Sequence, residues 1–266
     1  MNYYDYHMHC SYSADSNTPM KDMIEKSIKL GLKEICFTDH IDYDIIGNPN
    51  VSINYKKYLN EIEDYKKTYS KYISIKKGIE MGLQSHILER CSKEIKEQDL
   101  DFVIASIHTI DRHELFTGDF HKGKTQHEAY EGYYKCLLKI VNNFNDYSVL
   151  GHVDLIKRYG NYDSILSDNI FSDYLESILK KVIQDGKGIE LNTSSFRYNL
   201  PDLTPSTNIL KMYKDLGGEI ITVGSDSHNP DQIATKFKYV HEVLKTIGYK
   251  YICRFNEMKP EFIPLQ

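Results

Sequence analysis

Short apolar runs alternate with longer amphipathic segments along the whole chain. The short runs are rich in β-branched and aromatic residues, and they predict seven strands, at residues 3–7, 34–38, 73–78, 101–106, 147–151, 188–192 and 219–224. Between them, apolar residues recur every three or four positions, which predicts helices at residues 20–30, 55–69, 87–95, 130–141, 171–183, 209–216 and 240–247. The pattern therefore indicates an α/β protein.

Strands that alternate with helices favour a parallel sheet, because parallel neighbours require a crossover between them. An open doubly wound sheet and a closed barrel both fit this pattern. In either fold, functional residues gather at the carboxyl ends of the strands. No repeat, low-complexity tract or linker interrupts the pattern, so we expect one domain over residues 1–266.

The side chains at the ends of these runs are of the types that bind metals or anions. In strand order they are His7 and His9, Asp39 and His40, Glu80, His108, His152, Asn192 and Arg197, and Asp226 and His228. Histidines scattered over a surface would not follow the strand ends in this way. The placement therefore predicts a functional site at the carboxyl edge of the sheet.

Composition narrows the function classes. Hydrophobic residues make up 41% of the 266 residues and charged residues 27%, which is typical of soluble globular proteins. The net charge of −5 argues against nucleic-acid or membrane-surface binding. No apolar run is long enough for a membrane span, and no secretion signal is recognisable, so we expect a cytoplasmic protein. The five scattered cysteines are expected to be reduced thiols.

Paired ligands two residues apart predict a metal centre. Strand side chains alternate between faces, so His7 and His9 should point the same way, and Asp226 and His228 repeat this spacing. The other candidates are Asp15, His40, Glu80, His108 and His152. Nine nitrogen and oxygen ligands exceed what one tetrahedral ion needs and suit two or three ions, with Zn, Mn or Fe favoured over Mg or Ca.

Six ordered motifs resemble the PHP (polymerase and histidinol phosphatase) superfamily of metal-dependent phosphoesterases. They are HMHCSYSAD, FTDH, GIE, SIHT, GHVDL and GSDSH, and they run from His7 to His228. The segments HVDLIKR and ELNTSSFR are similar to the histidinol-phosphate phosphatase branch in particular. The resemblance implies a single-domain, TIM-like distorted (β/α)7 barrel, with a site for three divalent ions (Zn, Mn or Fe) at the carboxyl ends of the strands.

The resemblance also implies how the ligands divide among the ions. His7, His9, Glu80 and Asp226 would hold the first ion, and Glu80 would bridge to a second ion. His108 and His152 would complete that second site, while Asp15, His40 and His228 would hold the third ion. Many members of the superfamily carry a histidine where this chain has Asp15, so the metal preference of the third site stays open.

The implied reaction is hydrolysis of a phosphomonoester by a hydroxide that bridges two ions, without a nucleophile from the protein. Arg158 and Arg197 would hold the phosphate oxygens, because a guanidinium group matches phosphate geometry. Asp39 and Asp154 would either orient ligand imidazoles or cap helices. His86, His113, His121, His127 and His241 are expected to be solvated.

The leading hypothesis is a histidinol-phosphatase that converts L-histidinol phosphate to L-histidinol and phosphate in histidine biosynthesis. The alternative is a PHP enzyme for another small phosphoester, such as a nucleotide or sugar phosphate. An inactive metal-binding domain and an amidohydrolase are further alternatives. The long segment 111–125 could cover the site or be an ordinary excursion, and Lys122 and Lys124 there could meet an anion or only solubilise the loop. Asp42 and Asp44 are candidate partners for the substrate amine.

Overall fold

A computed structural model describes residues 3–47 and 50–265 of the chain. In this part of the chain the strands, in order, are β1 (Tyr4–Met8), β2 (Glu34–Phe37), β3 (His40–Ile41), β4 (Ser74–Gly82), β5 (Phe102–Ser106), β6 (Thr109–Ile110), β7 (His113–Glu114), β8 (Val149–Leu150), β9 (Gly188–Asn192), β10 (Ile221–Gly224), β11 (Tyr251–Asn256) and β12 (Lys259–Pro264). The helices are α1 (Met20–Lys29), α2 (Tyr55–Tyr69), α3 (Leu88–Lys96), α4 (Gln126–Val141), α5 (Ser172–Gln184), α6 (Thr207–Asp215) and α7 (Phe237–Ile247).

Seven parallel strands form a nearly closed barrel, in the order β1-β2-β4-β5-β8-β9-β10. Two backbone hydrogen bonds bring the last strand back to the first. The amide of Asp226 donates to the carbonyl of His7 at 2.7 Å, and the amide of His9 donates to the carbonyl of Ser227 at 2.8 Å. The closed barrel of the two predicted architectures is therefore confirmed, and the open sheet is wrong.

All seven predicted strands are present, and β4 is longer than predicted. It continues to Gly82, so Glu80 lies within the strand and does not follow it as the sequence analysis expected. The reason is that the buried apolar residues Ile79 and Met81 extend the run past Gly78, pairing with β5. Glu80 consequently points into the barrel from a fixed backbone position.

A β-bulge in β1 changes which residues face the barrel interior. Asp5 pairs with Ile35 and Met8 pairs with Phe37, so β1 advances by three residues where β2 advances by two. Tyr6 consequently packs in the interior on Phe102, with ring centroids 5.0 Å apart, and the next residue, His7, also faces inward. The bulge lets an aromatic residue at one end and the ligand pair at the other end share the interior.

Amphipathic helices pack their apolar faces on the outside of the barrel. On α2, for example, Tyr58 and Ile62 are fully buried against the strands. The helix α4 begins at Gln126, four residues before the predicted start, because Thr125 and Glu128 form a capping box at its amino end. The main apolar core thus lies between the strands and this outer layer of helices.

An antiparallel hairpin of β11 and β12 covers the amino end of the barrel. Phe255 packs against Phe102 inside the barrel, and its amide donates to the Tyr6 hydroxyl at 2.8 Å. The sequence analysis assigned no strand after residue 247. The turn residues Glu257 and Met258 both have a positive φ without the glycine or asparagine that usually reveals such a turn, and Pro260 and Pro264 weaken the strand pattern.

Two further expectations concern the cysteines and membrane-spanning segments. The five cysteines are all unpaired thiols, as predicted. Among the described residues, no helix combines the length and apolar character needed to cross a membrane.

Candidate metal centre and phosphate pocket

A cavity of about 710 Å³ opens at the carboxyl end of the barrel. Seven of the nine predicted ligands line it, namely Asp15, His40, Glu80, His108, His152, Asp226 and His228. His7 and His9 lie directly beneath them, fully buried at the end of β1. The barrel therefore brings all nine predicted side chains to one place, from six different strand ends and the loop after β1.

His7 and His9 point the same way, as their spacing predicts. Their Nε2 atoms lie 3.1 Å apart, and Asp226 Oδ1 lies 3.7 Å from that of His7 and 3.5 Å from that of His9. The potential ligand atoms of these three residues all fall within 4.8 Å of one another. This separation is compatible with coordination of one ion by all three side chains.

The buried carboxylate of Glu80 lies at the centre of the cluster. Its Oε2 atom is 3.2 Å from His7 Nε2 and 3.0 Å from His40 Nδ1, on one side. Its Oε1 atom is 3.2 Å from His108 Nε2 and 2.9 Å from His152 Nε2, on the other side. The two oxygens of one carboxylate therefore face two groups of imidazoles, which is the arrangement a bridging ligand requires.

The third predicted group lies at the edge of the cavity. Asp15 Oδ2 is 3.0 Å from His228 Nε2 and 3.5 Å from His40 Nε2. His40 belongs to two groups at once, because it also lies near Glu80 and His108 and near His9 and His228. The implied assignment of His40 to the third ion alone is thus narrower than the geometry allows.

Mutual compensation sets the protonation of these buried groups. Burial alone would lower the pKa of His7, but the carboxylates of Glu190, Glu80 and Asp226 hold it well above its usual value. Burial would raise the pKa of Glu80, yet the surrounding imidazoles hold it well below its usual value. The pKa of His9 is well below its usual value because of its burial and the neighbouring imidazoles of His228 and His40. The nearby imidazoles hold the pKa of Asp226 low as well, so the pKa shifts of Glu80 and Asp226 both favour the ionised form, which is the form that binds a cation.

Comparison with known proteins identifies the family. The family model described as PHP domain matches residues 5–194, which is more than half of the chain. The chain belongs to the PHP domain family. The histidinol-phosphatase of Lactococcus lactis is 33% identical over 257 residues, covering 96% of this chain and 95% of the relative. A probable histidinol-phosphatase of Clostridium acetobutylicum is 32% identical, covering 93% and 94%.

Solved structures agree with this relationship. The PHP domain superposes on the crystal structure of histidinol phosphate phosphatase from Lactococcus lactis, complexed with zinc, L-histidinol and phosphate, with a TM-score of 0.90 and 32% identity. That match covers 97% of this chain and 98% of the other. A second structure, from Listeria monocytogenes, matches with a TM-score of 0.77 at 17% identity, which supports the fold alone.

Outer hydrogen bonds fix the ring orientation of several ligands in this PHP domain. Glu190 Oε1 lies 2.6 Å from His7 Nδ1, Asp42 Oδ1 lies 2.9 Å from His108 Nδ1, and Ser13 Oγ lies 3.1 Å from His9 Nδ1. The sequence analysis missed Glu190 in this role, although it faces inward two residues before Asn192 on the same strand. Gly224 leaves room for the contact, because a Cβ atom there would lie 2.3 Å from Glu190 Oε1.

The two aspartates expected to orient imidazoles or cap helices do neither directly. Asp39 accepts hydrogen bonds from the Cys10 amide at 2.8 Å and the Ser13 hydroxyl at 2.7 Å, so it reaches His9 only through Ser13. Asp154 forms an ion pair with Lys157 at 2.8 Å and contacts no imidazole. The expectation failed because distance along the chain from a histidine does not fix which way a loop side chain points.

The two predicted phosphate-binding arginines both line the cavity but differ in how many donors remain available. Arg158 donates through Nη2 to Ser194 Oγ, and its buried Nε has no hydrogen-bond partner among the described residues. Arg197 donates to the carbonyl oxygens of Ser225 at 2.7 Å and Asp226 at 2.5 Å. Arg158 therefore has the more available donors, whereas Arg197 also holds the backbone that carries Asp226.

The long segment 111–125 reaches the mouth of the cavity, so its covering role is favoured over an ordinary excursion. Glu114, Leu115, Phe116 and Thr117 line the opening. The Glu114 side chain accepts no hydrogen bond and forms no ion pair within the described part of the chain. Lys122 pairs with Asp119 in the same segment and does not line the cavity.

Several other polar residues lie elsewhere than expected. His121 and His241 are buried, at 8% and 3% exposure, so the expectation that they are solvated was wrong, whereas His86, His113 and His127 are exposed. His241 packs beside Tyr3 and Phe237, and His121 packs beside Tyr162. Asp44, a candidate partner for the substrate amine, forms an ion pair with Arg112 at 2.7 Å and does not line the cavity.

Proposed function

We propose that this protein hydrolyses L-histidinol phosphate to L-histidinol and inorganic phosphate, as a step of histidine biosynthesis in the cytoplasm. The observation that carries the proposal is the nine-residue ligand cluster at the carboxyl end of a barrel that superposes, with a TM-score of 0.90, on a relative bound to zinc, L-histidinol and phosphate. We treat residues 1–266 as one PHP domain, because barrel closure uses both β1 and β10.

The donor set fits divalent metal ions. Imidazoles and carboxylates form three overlapping groups in which the ligand atoms lie close enough to share one ion, namely His7, His9 and Asp226, then His40, Glu80 and His108, and then His9, His40 and His228. His7, His9, Glu80 and Asp226 would hold the first ion, Glu80 with His108 and His152 the second, and Asp15, His40 and His228 the third. Zinc, manganese or iron ions held there would supply Lewis-acid polarisation of the phosphoryl group and an activated water.

The chain's own residues position the phosphoryl group. Arg158 lines one wall of the cavity, and its Nη2 atom is 3.6 Å from Asp226 Oδ2, so its guanidinium group lies beside the cluster and can donate to a phosphoryl oxygen that does not react. Arg197 keeps the Asp226 backbone in place and adds positive charge on the same wall. Glu190, Asp42 and Ser13 hold three imidazoles in fixed orientations, so the ligand rings need no rearrangement when substrate arrives.

The mouth of the cavity suits a cationic leaving group. Glu114 presents a carboxylate without an ionic partner at the opening, and Phe116 beside it is 71% exposed. A substrate ammonium group placed there would gain a charge-assisted hydrogen bond. The earlier candidates Asp42 and Asp44 are already engaged with His108 and Arg112, so Glu114 replaces them in the proposal.

The test is phosphate release by the purified full chain loaded with zinc or manganese. The substrates compared are histidinol phosphate, p-nitrophenyl phosphate, several nucleotides and a sugar phosphate. A preference for histidinol phosphate that disappears in metal-stripped protein and in His9→Ala supports the proposal. Equal turnover of all esters would favour a different small phosphoester, and no phosphate release from any ester despite bound metal would contradict phosphatase activity altogether.

A further inference from the structure

Beyond the metal ligands, a buried ion triad lies directly behind Arg158. Lys157 Nζ is 2.8 Å from Asp154 Oδ2 and 2.5 Å from Asp168 Oδ1. The side chains of all three residues are at most 9% exposed. None of the three lines the described wall of the cavity, so the triad does not touch substrate directly.

Ser206 ties the triad to a second loop, which leaves the neighbouring strand β9. Asp154 and Lys157 belong to the connection between β8 and α5, which contains a short 3₁₀ turn at Leu155–Arg158. Ser206, at the end of the segment after β9, donates its amide to Asp154 Oδ2 at 3.0 Å and its hydroxyl to Asp168 Oδ2 at 2.5 Å. Asp168 lies further along the same connection, just before α5.

Both ends of Arg158 are therefore anchored to the same two loops. Its backbone directly follows Lys157, while its guanidinium group donates to Ser194 Oγ and stacks on Tyr198, with Cζ 4.1 Å from the ring centroid. Ser194 and Tyr198 belong to the same segment after β9 that Ser206 closes. A shift of one loop relative to the other would move the guanidinium group away from its position beside the metal ligands.

Stability alone is a poor explanation for such a triad. Burying three charged groups costs desolvation free energy, and replacing buried ion pairs with apolar residues is often neutral or stabilising. Two carboxylates in the triad face one ammonium group, so they also depend on the hydrogen bonds that Ser206 donates. An arrangement of this kind is better suited to fixing one geometry than to lowering the free energy of folding.

We propose that Lys157, Asp154 and Asp168 act as positioning residues for Arg158, locking the two loops so that the guanidinium group is preorganised to bind a phosphoryl group. This inference rests on the proposed function only in assigning a phosphate ligand to Arg158. It adds three residues outside the pocket that affect catalysis only by positioning Arg158.

The test is a double-mutant cycle read out by calorimetric titration of the zinc-loaded full chain with inorganic phosphate. The variants are Asp168→Asn, Arg158→Ala and the double variant. Asp168→Asn leaves the Lys157–Asp154 pair in place, so folding is less at risk than with Lys157→Met. We expect it to weaken phosphate binding about tenfold when Arg158 is present and less than about twofold in the Arg158→Ala background.

A matched control is Asp185→Asn, which removes the ion pair of a largely buried aspartate with Lys181, 2.7 Å away at the carboxyl end of α5. It should leave phosphate affinity unchanged. Equal weakening by Asp168→Asn in both backgrounds, or a lower melting temperature with unchanged affinity, would mean that the triad only supports the fold. Unchanged affinity in Arg158→Ala would also overturn the proposal. Intact coupling in a protein that does not hydrolyse histidinol phosphate would contradict the proposed substrate and leave this inference standing.

Discussion

The two ends of the barrel interior are equally buried but are filled by opposite kinds of side chain. At the amino end, Tyr6, Phe102 and Phe255 pack as an aromatic plug with at most 2% exposure. At the carboxyl end, His7 and Glu80 are no more exposed, yet they are polar. Burial of the plug is favourable by itself, whereas burial of the polar cluster must be compensated by partners or ions. The side chains that stabilise the fold and the side chains of the candidate site therefore lie at opposite ends of the same strands.

Removing the central carboxylate should give the largest effect. Glu80→Ala takes away the group that faces His7, His40, His108 and His152, so we expect phosphate release to fall at least about a thousandfold and bound metal to be lost. Activity and metal content by mass spectrometry would be measured on the same samples. Glu89→Ala, an exposed glutamate on α3, is the control. Activity within tenfold of the parent would show that the cluster does not depend on Glu80.

A truncation in the aromatic plug should change stability and leave the chemistry unchanged. We expect Phe255→Ala to lower the free energy of unfolding by about 3–5 kcal/mol, because it leaves a cavity beside Phe102 and Tyr6. Urea unfolding measures this loss, and kcat/KM at low temperature should stay within about twofold. Phe262→Ala, on the partner strand but 45% exposed, should cost much less. A large fall in kcat/KM of the folded Phe255→Ala protein would show that the two ends are coupled.

Removing the charge of Glu190, which contacts the ligand imidazole of His7, should have an intermediate effect on metal affinity. Glu190→Gln keeps the shape of the side chain but withdraws the negative charge 2.6 Å from His7 Nδ1, so metal affinity should fall about 10- to 100-fold in a chelator competition. Glu34→Gln is the matched control at the amino end, where the equally buried carboxylate accepts a hydrogen bond from Tyr6 at 2.5 Å. If both variants lowered metal affinity equally, the separation of the two ends would be wrong.

The smallest effect should come from the mouth of the cavity. Glu114→Gln should raise KM for histidinol phosphate about tenfold, since a charge-assisted hydrogen bond becomes a neutral one. KM for p-nitrophenyl phosphate, which has no ammonium group, should not change. Asp119→Asn in the same segment serves as the control. An equal rise in KM for both esters would argue that Glu114 shapes the opening without recognising the amine.

The barrel strands, and the clustering of the predicted ligands at one end of the barrel, could be predicted from the sequence. Both follow from local patterns, since a strand's apolar run and the polar residue at its end lie within a few positions of each other. His7 with His9, and Asp226 with His228, were found through their spacing together with their places at strand ends. The ligand roles themselves stay predictions until metal content is measured.

Features that depend on distant neighbours were not predictable in this way. Glu190 and Asp42 gain their roles only when the barrel places them behind His7 and His108. The hairpin at the amino end lacked the usual turn residues. The burial of His241 did have a local signal, because Phe237, Val240 and Leu244 place it on the apolar stripe of α7.

The bulge in β1 has a consequence for comparing related sequences. Strict alternation counted from the interior residue Tyr6 assigns His7 and His9 to the outer face, because the phase of the strand changes between Asp5 and Met8. If the same residues paired with β2 without the bulge, regular alternation would continue from Tyr6 and would turn both imidazoles out of the barrel, although the composition of the strand would be unchanged. Among relatives, the length of this segment is therefore as informative about function as the presence of its two histidines.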